Sequence, residues 1–259
     1  MIGAIAGDVI GSVYEFANLR SKVFPLFARD AAFTDDTVLT VAVAEALLDK
    51  AGFGEALKRW YARYPNESYG ARFRVWAEAD EAEPYHSWGN GSAMRVSPVA
   101  YAADDLGEVV RLAAASAEPT HNHPEGIKGA QAVATAILLA RKGASQEEIG
   151  HFCQEHFGYD LSEPLAEIRE SYTFDESCQG SVPQALRAFL EAASFEDAIR
   201  NAVSIGGDSD TIACIAGAVA EAHFGVPPWI QAEVFRRLDP PLAEVTRAFC
   251  ERYIRDYHR

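Results

Sequence analysis

The stretch SIGGDSDTIACIAGAVAEAHFG, residues 204–225, decides how the rest of the chain is interpreted. Two glycines and two carboxylates, Asp208 and Asp210, precede a run of small apolar residues with the length and pattern of a helix. A helix that is apolar on every side must be surrounded by other helices. Two repelling charges at the start of such a buried helix therefore need a structural or chemical explanation.

Helical periodicity dominates the chain, and the alternating pattern of strands is scarce. Gly3, Gly7 and Gly11 fall four residues apart, which predicts an N-terminal helix with one face in close contact with another helix. The other predicted helices span residues 38–48, 53–64, 92–103, 106–117, 125–142, 146–157, 183–193, 195–203, 211–224 and 242–255. Ser145 is predicted as an N-cap, and Pro183 is predicted to lie in a first turn. Because helices 38–48 and 211–224 carry almost no charge, we expect an all-α fold with this central buried pair inside an amphipathic shell.

Composition limits the classes of function. The chain has 259 residues, is 49% hydrophobic and carries a formal net charge of −15, which predicts one soluble globular domain spanning residues 1–259. Nucleic-acid binding needs a basic surface, and an anionic membrane would repel this chain, so neither partner is expected. The four cysteines form no C-x-x-C pair, and there is no basic leader or long apolar run, so a cytoplasmic location is expected.

The acidic pair of residues 204–225 has a counterpart in FTDDT, residues 33–37, which also precedes a strongly apolar helix. Each pattern alone fits helix capping, because Asp and Thr are favoured N-caps. A cap needs only one oxygen, however, and crowded carboxylates at buried helix ends repel one another. If the two helix starts meet, two Mg²⁺ or Mn²⁺ ions would relieve that repulsion. The candidate ligands are Thr34, Asp35, Asp36, Asp208, Asp210 and Thr211. Glu15, in VYEF, is a further acidic candidate among apolar neighbours.

Two polar segments are candidates for binding an anion. Gly89, Asn90, Gly91 and Ser92 form a turn before a helix, where backbone N–H groups can face a phosphate. An ordinary Asn-Gly turn capped by Ser92 explains the same residues. In THNHPEG, residues 120–126, too few His or Cys ligands lie nearby for a zinc site. His121 is therefore either a hydrogen-bonding residue of a pocket or a structural histidine.

Six stretches, taken together and in order, resemble the ADP-ribosylglycohydrolase family. They are GAIAGDVIGSVYEF, FTDDTVLT, WGNGSAMRVSPVA, THNHPEGIKGAQA, SVPQALRAFL and SIGGDSDTIACIAGAVAEAHFG. The resemblance implies an orthogonal multi-helix bundle with a binuclear magnesium or manganese centre in a cleft. The implied metal ligands are the six Asp and Thr residues named above, with Glu15 beside the metals and substrate. Gly89, Asn90, Gly91 and Ser92 would hold the diphosphate of ADP-ribose, with His121 close to it.

The resemblance implies hydrolysis of the glycosidic bond between ADP-ribose and its acceptor. The acceptor remains open between an arginine or serine of a protein and a small molecule. Asp35 or Glu15 is expected to take a proton from the attacking water or to assist the leaving group. Two alternatives stay open: a non-catalytic ADP-ribose binder or crystallin-like relative, and a two-metal hydrolase of phosphate esters. The connection between Glu15 and Thr34 is short, so selection of the substrate by a lid is in doubt.

Overall fold

The computed structural model describes residues 1–81 and 83–254, and these residues form helices without a β-strand. The all-α prediction is therefore confirmed. The helices are α1 (Ile2–Gly11), α2 (Asp35–Asp49), α3 (Phe53–Arg63), α4 (Ala71–Glu78), α5 (Gly91–Met94), α6 (Val99–Ala102), α7 (Leu106–Ala117), α8 (Pro124–Arg141), α9 (Gln146–Phe157), α10 (Leu165–Ser171), α11 (Cys178–Leu190), α12 (Phe195–Ile205), α13 (Ser209–Phe224), α14 (Pro228–Arg237) and α15 (Pro240–Tyr253). A short 3₁₀ turn, Ser12–Tyr14, follows α1.

The glycine face of α1 lies directly against α13. A Cβ atom at Gly7 would overlap the backbone carbonyl of Ala213, and one at Gly11 would lie 2.5 Å from the Cα of Asp210. A Cβ atom at Gly3 would overlap the backbone of Gly217 in the same way. The predicted close helix contact is therefore confirmed, and it brings the first turn of α13 against the end of α1.

Helices α2 and α13 are both buried, as their lack of charge predicted. The stretches from Asp36 to Ala44 and from Ser209 to Ala220 are shielded from solvent throughout. Helix α1 is buried along its whole length as well, and α13 makes its most extensive contact with α1 rather than with α2. Helices α2 and α13 approach each other where both begin, and this places their acidic first turns together.

Several helix boundaries differ from the predicted ones. Helix α11 begins at Cys178, where Ser177 accepts a hydrogen bond from the N–H of Gly180, so Pro183 lies inside the helix and not in its first turn. The predicted helix 92–103 is divided into α5 and α6. Residues preceding a proline disfavour helical dihedral angles, and the break falls just before Pro98.

Three helices, α4, α10 and α14, were not predicted. They have 8, 7 and 10 residues, too few for a clear apolar period. Ser145 caps α9 as predicted, in a capping box with Glu148. The predicted end of the last helix, Arg255, lies outside the described residues. Within residues 1–81 and 83–254, no helix has the length and apolar character needed to cross a bilayer.

Candidate metal and active site

The start of α2 is held in place by a carboxylate of α1. Asp8, which is fully buried, accepts hydrogen bonds from the backbone N–H of Thr34 at 3.0 Å and from its hydroxyl at 2.7 Å. It also accepts from the N–H of Thr37 at 3.1 Å and from the Thr37 hydroxyl. Thr34 in turn caps α2 by accepting from the N–H of Asp36 at 3.2 Å. Asp8 thus fixes the turn that carries the first acidic pair, Asp35 and Asp36.

Sequence reasoning missed the role of Asp8. The signal was present, because one carboxylate lies in the middle of an otherwise apolar helix and a fully buried charge requires hydrogen-bond donors. The donors are backbone and hydroxyl groups of a turn more than 20 residues away, and no local pattern in the sequence shows that pairing.

The start of α13 is shaped by two glycines. Gly206 and Gly207 have φ angles of +72° and +70°, which side chains other than glycine rarely adopt. Asn18 brackets Gly207, accepting from its N–H at 2.8 Å and donating to its carbonyl oxygen at 2.9 Å. This turn reverses the chain just ahead of Asp208 and directs both Asp208 and Asp210 toward α2.

The two acidic helix starts meet in space. The Thr211 hydroxyl of α13 donates to Asp36 of α2 over 3.4 Å. Carboxylate oxygens of Glu15, Asp208 and Asp210 all lie within 4.8 Å of one another. The convergence on which the metal-site prediction depends is therefore present, and Glu15, from the end of the 3₁₀ turn, joins it.

Burial and mutual repulsion raise the pKa values of this carboxylate cluster, which we define as Glu15, Asp35, Asp36, Asp208 and Asp210. Burial is the largest cause for every member, followed for most by neighbouring carboxylates. The pKa values of Glu15 and Asp35 rise to about 7, and those of Asp36 and Asp210 rise well above the ordinary value. The pKa of Asp208 is also raised, by burial, although hydrogen bonds from Asn90 and Thr211 oppose the rise. No lysine or arginine among the described residues forms an ion pair with the cluster.

The oxygen atoms of the carboxylate cluster and its neighbouring threonines are suitable ligands for a divalent cation. The Oδ2 atom of Asp36 is buried and accepts no hydrogen bond from the part of the chain that the structure describes. An uncompensated buried carboxylate oxygen is costly, and a cation removes that cost. Carboxylate and hydroxyl oxygens are hard ligands of the kind preferred by Mg²⁺ and Mn²⁺.

The glycine turn lies beside the cluster, but its side chains face inward. The side-chain amide of Asn90 donates to Asp208 at 2.7 Å and to Ser181 at 3.0 Å. The Ser92 hydroxyl is fully buried and donates to the carbonyl of Gly126 at 2.7 Å. Asn90 therefore orients a cluster carboxylate, and the side chain of Ser92 supports the fold of the turn.

The backbone of the turn offers fewer free donors than the sequence suggested. The N–H of Gly89 donates to the Ser87 hydroxyl at 3.1 Å, and that of Asn90 donates to the carbonyl of Glu176 at 2.7 Å. The N–H groups of Gly91 and Ser92 have no acceptor within the described ranges. His121 faces the same turn: a Cβ atom at Gly91 would lie 3.1 Å from its Nε2 atom.

A groove of about 410 Å³ opens next to the turn. Its lining includes the cationic side chain of Arg72, the aromatic rings of Trp88 and Phe174, and Gly89. Trp88 is 49% exposed and Phe174 is 44% exposed, so both rings are available to a ligand. The groove connects the glycine turn to solvent and was not found by sequence reasoning, because its lining comes from three separate segments.

Comparisons with known proteins show the family of the chain. The family model described as ADP-ribosylglycohydrolase matches residues 1–258. The mouse ADP-ribosylhydrolase ARH3 is 29% identical over 338 residues, covering 97% of this chain and 91% of that protein. The ADP-ribosyl-[dinitrogen reductase] glycohydrolase of Rhodospirillum rubrum is 26% identical over 93% of this chain and 94% of its own length.

A solved structure described as an ADP-ribosylglycohydrolase-related protein complex shares the fold. It aligns with a TM-score of 0.71 over 96% of both chains, at 24% sequence identity. The match of the family model along nearly the whole sequence confirms the resemblance carried by the six motifs. The chain belongs to the ADP-ribosylglycohydrolase family.

Proposed function

We propose that this protein hydrolyses the glycosidic bond between ADP-ribose and an acceptor, either a protein side chain or a small molecule, with the help of two Mg²⁺ or Mn²⁺ ions. One observation carries the proposal: two acidic helix starts, distant in sequence, converge on a buried cluster in which an Asp36 oxygen has no protein donor. Membership of a family whose named relatives include ADP-ribosyl hydrolases supports the choice of substrate class.

The residues that would hold the ions are Thr34, Asp35, Asp36, Asp208, Asp210 and Thr211, with Glu15 beside them. Bound divalent cations would supply Lewis acidity and lower the pKa of a water molecule at the site. The hydrogen bonds made by the Thr34 hydroxyl support this residue as a metal ligand. Its proton is donated to Asp8 and one lone pair accepts from the N–H of Asp36, so a further lone pair stays free for a cation.

Differences in exposure support different roles for the members of the cluster. Asp36, Asp208 and Asp210 are buried, whereas Glu15 and Asp35 keep a face toward solvent. A residue that takes a proton from an attacking water must reach that water, so Glu15 and Asp35 are the candidate bases. The three buried carboxylates are then best suited to holding cations in place. Cleavage would leave oxocarbenium character on the ribose, and Glu15, the carboxylate beside the ions, would stabilise that positive charge.

Local donors explain how a chain with a net charge of −15 would hold an anionic ligand. The N–H groups of Gly91 and Ser92 have no acceptor among the described residues, the ring of His121 lies against Gly89 and Gly91, and the guanidinium of Arg72 lines the groove beside the turn. A diphosphate placed there would accept hydrogen bonds from neutral groups and approach one cation. The exposed rings of Trp88 and Phe174 offer apolar surface to the rest of the ligand.

The proposal is tested by measuring release of ADP-ribose from arginine-linked, serine-linked and small-molecule conjugates, with Mg²⁺ or Mn²⁺ present or chelated. We expect metal-dependent release from at least one conjugate. Binding of ADP-ribose without turnover of any conjugate would instead identify a non-catalytic binder. Hydrolysis of simple phosphate esters without release of ADP-ribose would identify a different two-metal hydrolase.

A further inference from the structure

Arg95, at the end of α5, is a buried cation without a carboxylate partner. Its side chain is fully buried, and among the described residues no Asp or Glu forms an ion pair with it. One terminal nitrogen donates to the carbonyl of Ser116 at 3.1 Å and to the hydroxyl of Thr120 at 2.8 Å. The other two nitrogens, Nε and Nη1, have no acceptor in the described ranges. Burying a guanidinium with two unpaired nitrogens costs free energy, so we infer that Arg95 has a role other than packing.

Thr120 connects Arg95 to His121. A guanidinium carries no lone pair, so it can only donate, and the Thr120 oxygen must accept. The single hydroxyl proton of Thr120 is then free for the Nδ1 atom of His121, which lies 2.7 Å away. If Nδ1 itself carried the proton, Arg95 and His121 would both donate to the Thr120 oxygen, the Thr120 proton would turn to the Tyr85 hydroxyl, and the Tyr85 proton would have no acceptor among these groups. The arrangement that uses every donor has Thr120 donating to an unprotonated Nδ1.

The remaining nitrogen of His121 points at the glycine turn. A Cβ atom at Gly91 would lie 3.1 Å from Nε2, and one at Gly89 would lie 3.5 Å from it. The ring approaches this closely because both positions lack a side chain. Nε2 has no hydrogen-bond partner in the structure as described, so its proton is available to a ligand over the turn.

The charged and titratable groups around the ring favour its neutral form. Burial, and then the positive charges of Arg95 and Arg72, hold the pKa of His121 well below its usual value. Tyr85 packs beside the ring with the ring centroids 6.1 Å apart, and its hydroxyl also interacts with Thr120. Burial lowers the pKa of Arg95 only to about 10, so Arg95 keeps its charge at neutral pH.

We propose that Arg95 is a positioning residue that acts through Thr120 to hold His121 as the neutral tautomer with its proton on Nε2. The Nε2–H group can then always donate a hydrogen bond to an anionic oxygen of a ligand bound over Gly89 and Gly91. The identity of the ligand as ADP-ribose rests on the proposed function, whereas the tautomer and its control by Arg95 and Thr120 do not. A neutral donor of fixed direction binds an oxygen anion without adding a charge that would compete with cations in the carboxylate cluster.

The first experiment uses the unliganded wild-type protein. Uniformly ¹⁵N-labelled protein is examined by long-range ¹H–¹⁵N correlation, and the His121 ring is assigned by comparison with His121→Gln. We expect the proton on Nε2 and no protonation of the ring between pH 5 and pH 8. A ring protonated on Nδ1, or one that becomes a cation in that range, would overturn the proposal without bearing on catalysis.

The second experiment removes the connecting hydroxyl. Thr120→Val keeps the shape of the side chain, and Thr120→Ser restores the hydroxyl as a matched control. In Thr120→Val we expect a mixture of ring tautomers and ADP-ribose binding weakened about tenfold, the usual effect of losing one hydrogen bond to a charged group. Thr120→Ser should behave as the wild type in both measurements. Tyr85→Phe tests the neighbouring hydroxyl and should leave the tautomer unchanged.

The third measurement examines Arg95 itself. Arg95→Met should raise the pKa of His121 and release its tautomer, whereas Arg95→Lys should keep the donor to Thr120. If Arg95→Met does not fold, Thr120→Val and the wild-type spectrum still decide the question. An unchanged tautomer in Thr120→Val would overturn the proposal. A fixed Nε2 tautomer in a protein that does not bind ADP-ribose would leave the positioning role standing and defeat the proposed function instead.

Discussion

Thr211 and Asp36 are 175 positions apart in the sequence, and the hydroxyl of the first donates to the carboxylate of the second over 3.4 Å. That contact joins the first turns of α13 and α2. Both helices are almost free of charge beyond these turns, so the acidic residues lie at one end of two apolar helices. That position brings several carboxylate oxygens together, and oxygens are the ligands that Mg²⁺ and Ca²⁺ prefer.

Replacing Asp208 should abolish activity while preserving the fold. Asp208→Asn keeps the shape of the side chain but removes one negative charge from the cluster, so we expect cation binding to weaken and kcat/KM to fall by more than about 100-fold. Calorimetry with Mn²⁺ and the conjugate-release assay measure the two effects. Asp49→Asn, at an exposed position at the end of α2, is the matched control and should change neither. Wild-type turnover in Asp208→Asn would contradict the assignment of this residue.

Asn90 should affect the affinity for cations as well as the binding of substrate. Its amide holds Asp208 at 2.7 Å, and loss of such a supporting hydrogen bond typically costs 10–100-fold in metal affinity. Asn90→Ala should therefore weaken Mn²⁺ binding by about 10–100-fold in the absence of any substrate. Ser181→Ala removes only the other acceptor of the same amide and should have a smaller effect. Unchanged cation affinity in Asn90→Ala would restrict Asn90 to contacts with the substrate.

Asp8 should act on stability and cation binding together. Asp8→Ala removes the acceptor of four hydrogen bonds, three of them at Oδ2 and one at Oδ1. We expect the free energy of unfolding to fall by about 2–4 kcal/mol, measured by denaturant titration. Asp30→Ala, on the exposed surface, is the control. A variant as stable as the wild type would show that the turn of residues 34–37 does not need Asp8.

Without cations, the cluster should make the protein less stable as the pH rises. The pKa values of Glu15 and Asp35 rise on folding from the ordinary 4.5 and 3.8 to about 7. Groups with a raised folded pKa stabilise the folded state most below their unfolded pKa, and this contribution is lost as the pH rises toward the folded pKa. In chelator, the melting temperature should therefore decrease between about pH 4 and pH 7.

A loss of about 1 kcal/mol in this window corresponds to a decrease of about 2–4 °C in melting temperature for a chain of this size. Saturating Mg²⁺ should reverse the trend, because cations bind the deprotonated carboxylates. Glu15→Gln combined with Asp35→Asn should flatten the pH dependence in chelator. Equal melting temperatures at pH 5 and pH 8 in chelated wild-type protein would count against a strained cluster.

The contact between α1 and α13 should not tolerate a methyl group. A Cβ atom at Gly7 would overlap the backbone of Ala213, and backbone cannot move aside as a side chain can. Gly7→Ala should lower the free energy of unfolding by about 3 kcal/mol or more, or prevent folding. Gly70→Ala, at the N-cap of α4 where no atom lies within 4 Å of the added methyl group, should change it by about 1 kcal/mol or less. Similar stability of the two variants would refute the close contact.

Sequence reasoning reached the features that depend on local pattern. The glycine spacing of α1 predicted its close contact, and the absence of charge predicted that α2 and α13 are buried, because both signals repeat along a single helix. The sequence indicated that a metal site requires Asp36 and Thr211 to meet, but it did not show that they do. That meeting depends on how α1, α2 and α13 cross, which no pattern within one helix specifies.

The features that sequence reasoning missed are tertiary. The role of Asp8 was missed, since its partners, Thr34 and Thr37, lie on another helix start. The inward direction of the Asn90 and Ser92 side chains depends on Ser181, Asp208 and Gly126, which approach from α11, α13 and α8. Pro183 was placed wrongly because a proline is most common in a first turn, whereas Ser177 provides an earlier cap for α11.

The backbone contact between α1 and α13 has a consequence for how this site changes during evolution. Main-chain atoms meet main-chain atoms beneath the acidic residues, so the spacing of the carboxylates is independent of side-chain rotamers in the underlying core. Trp88 and Phe174, by contrast, line the groove and are about half exposed, so substitution there disturbs less packing. Residues that line the groove can therefore change during evolution while the main-chain contact beneath the acidic residues stays constant.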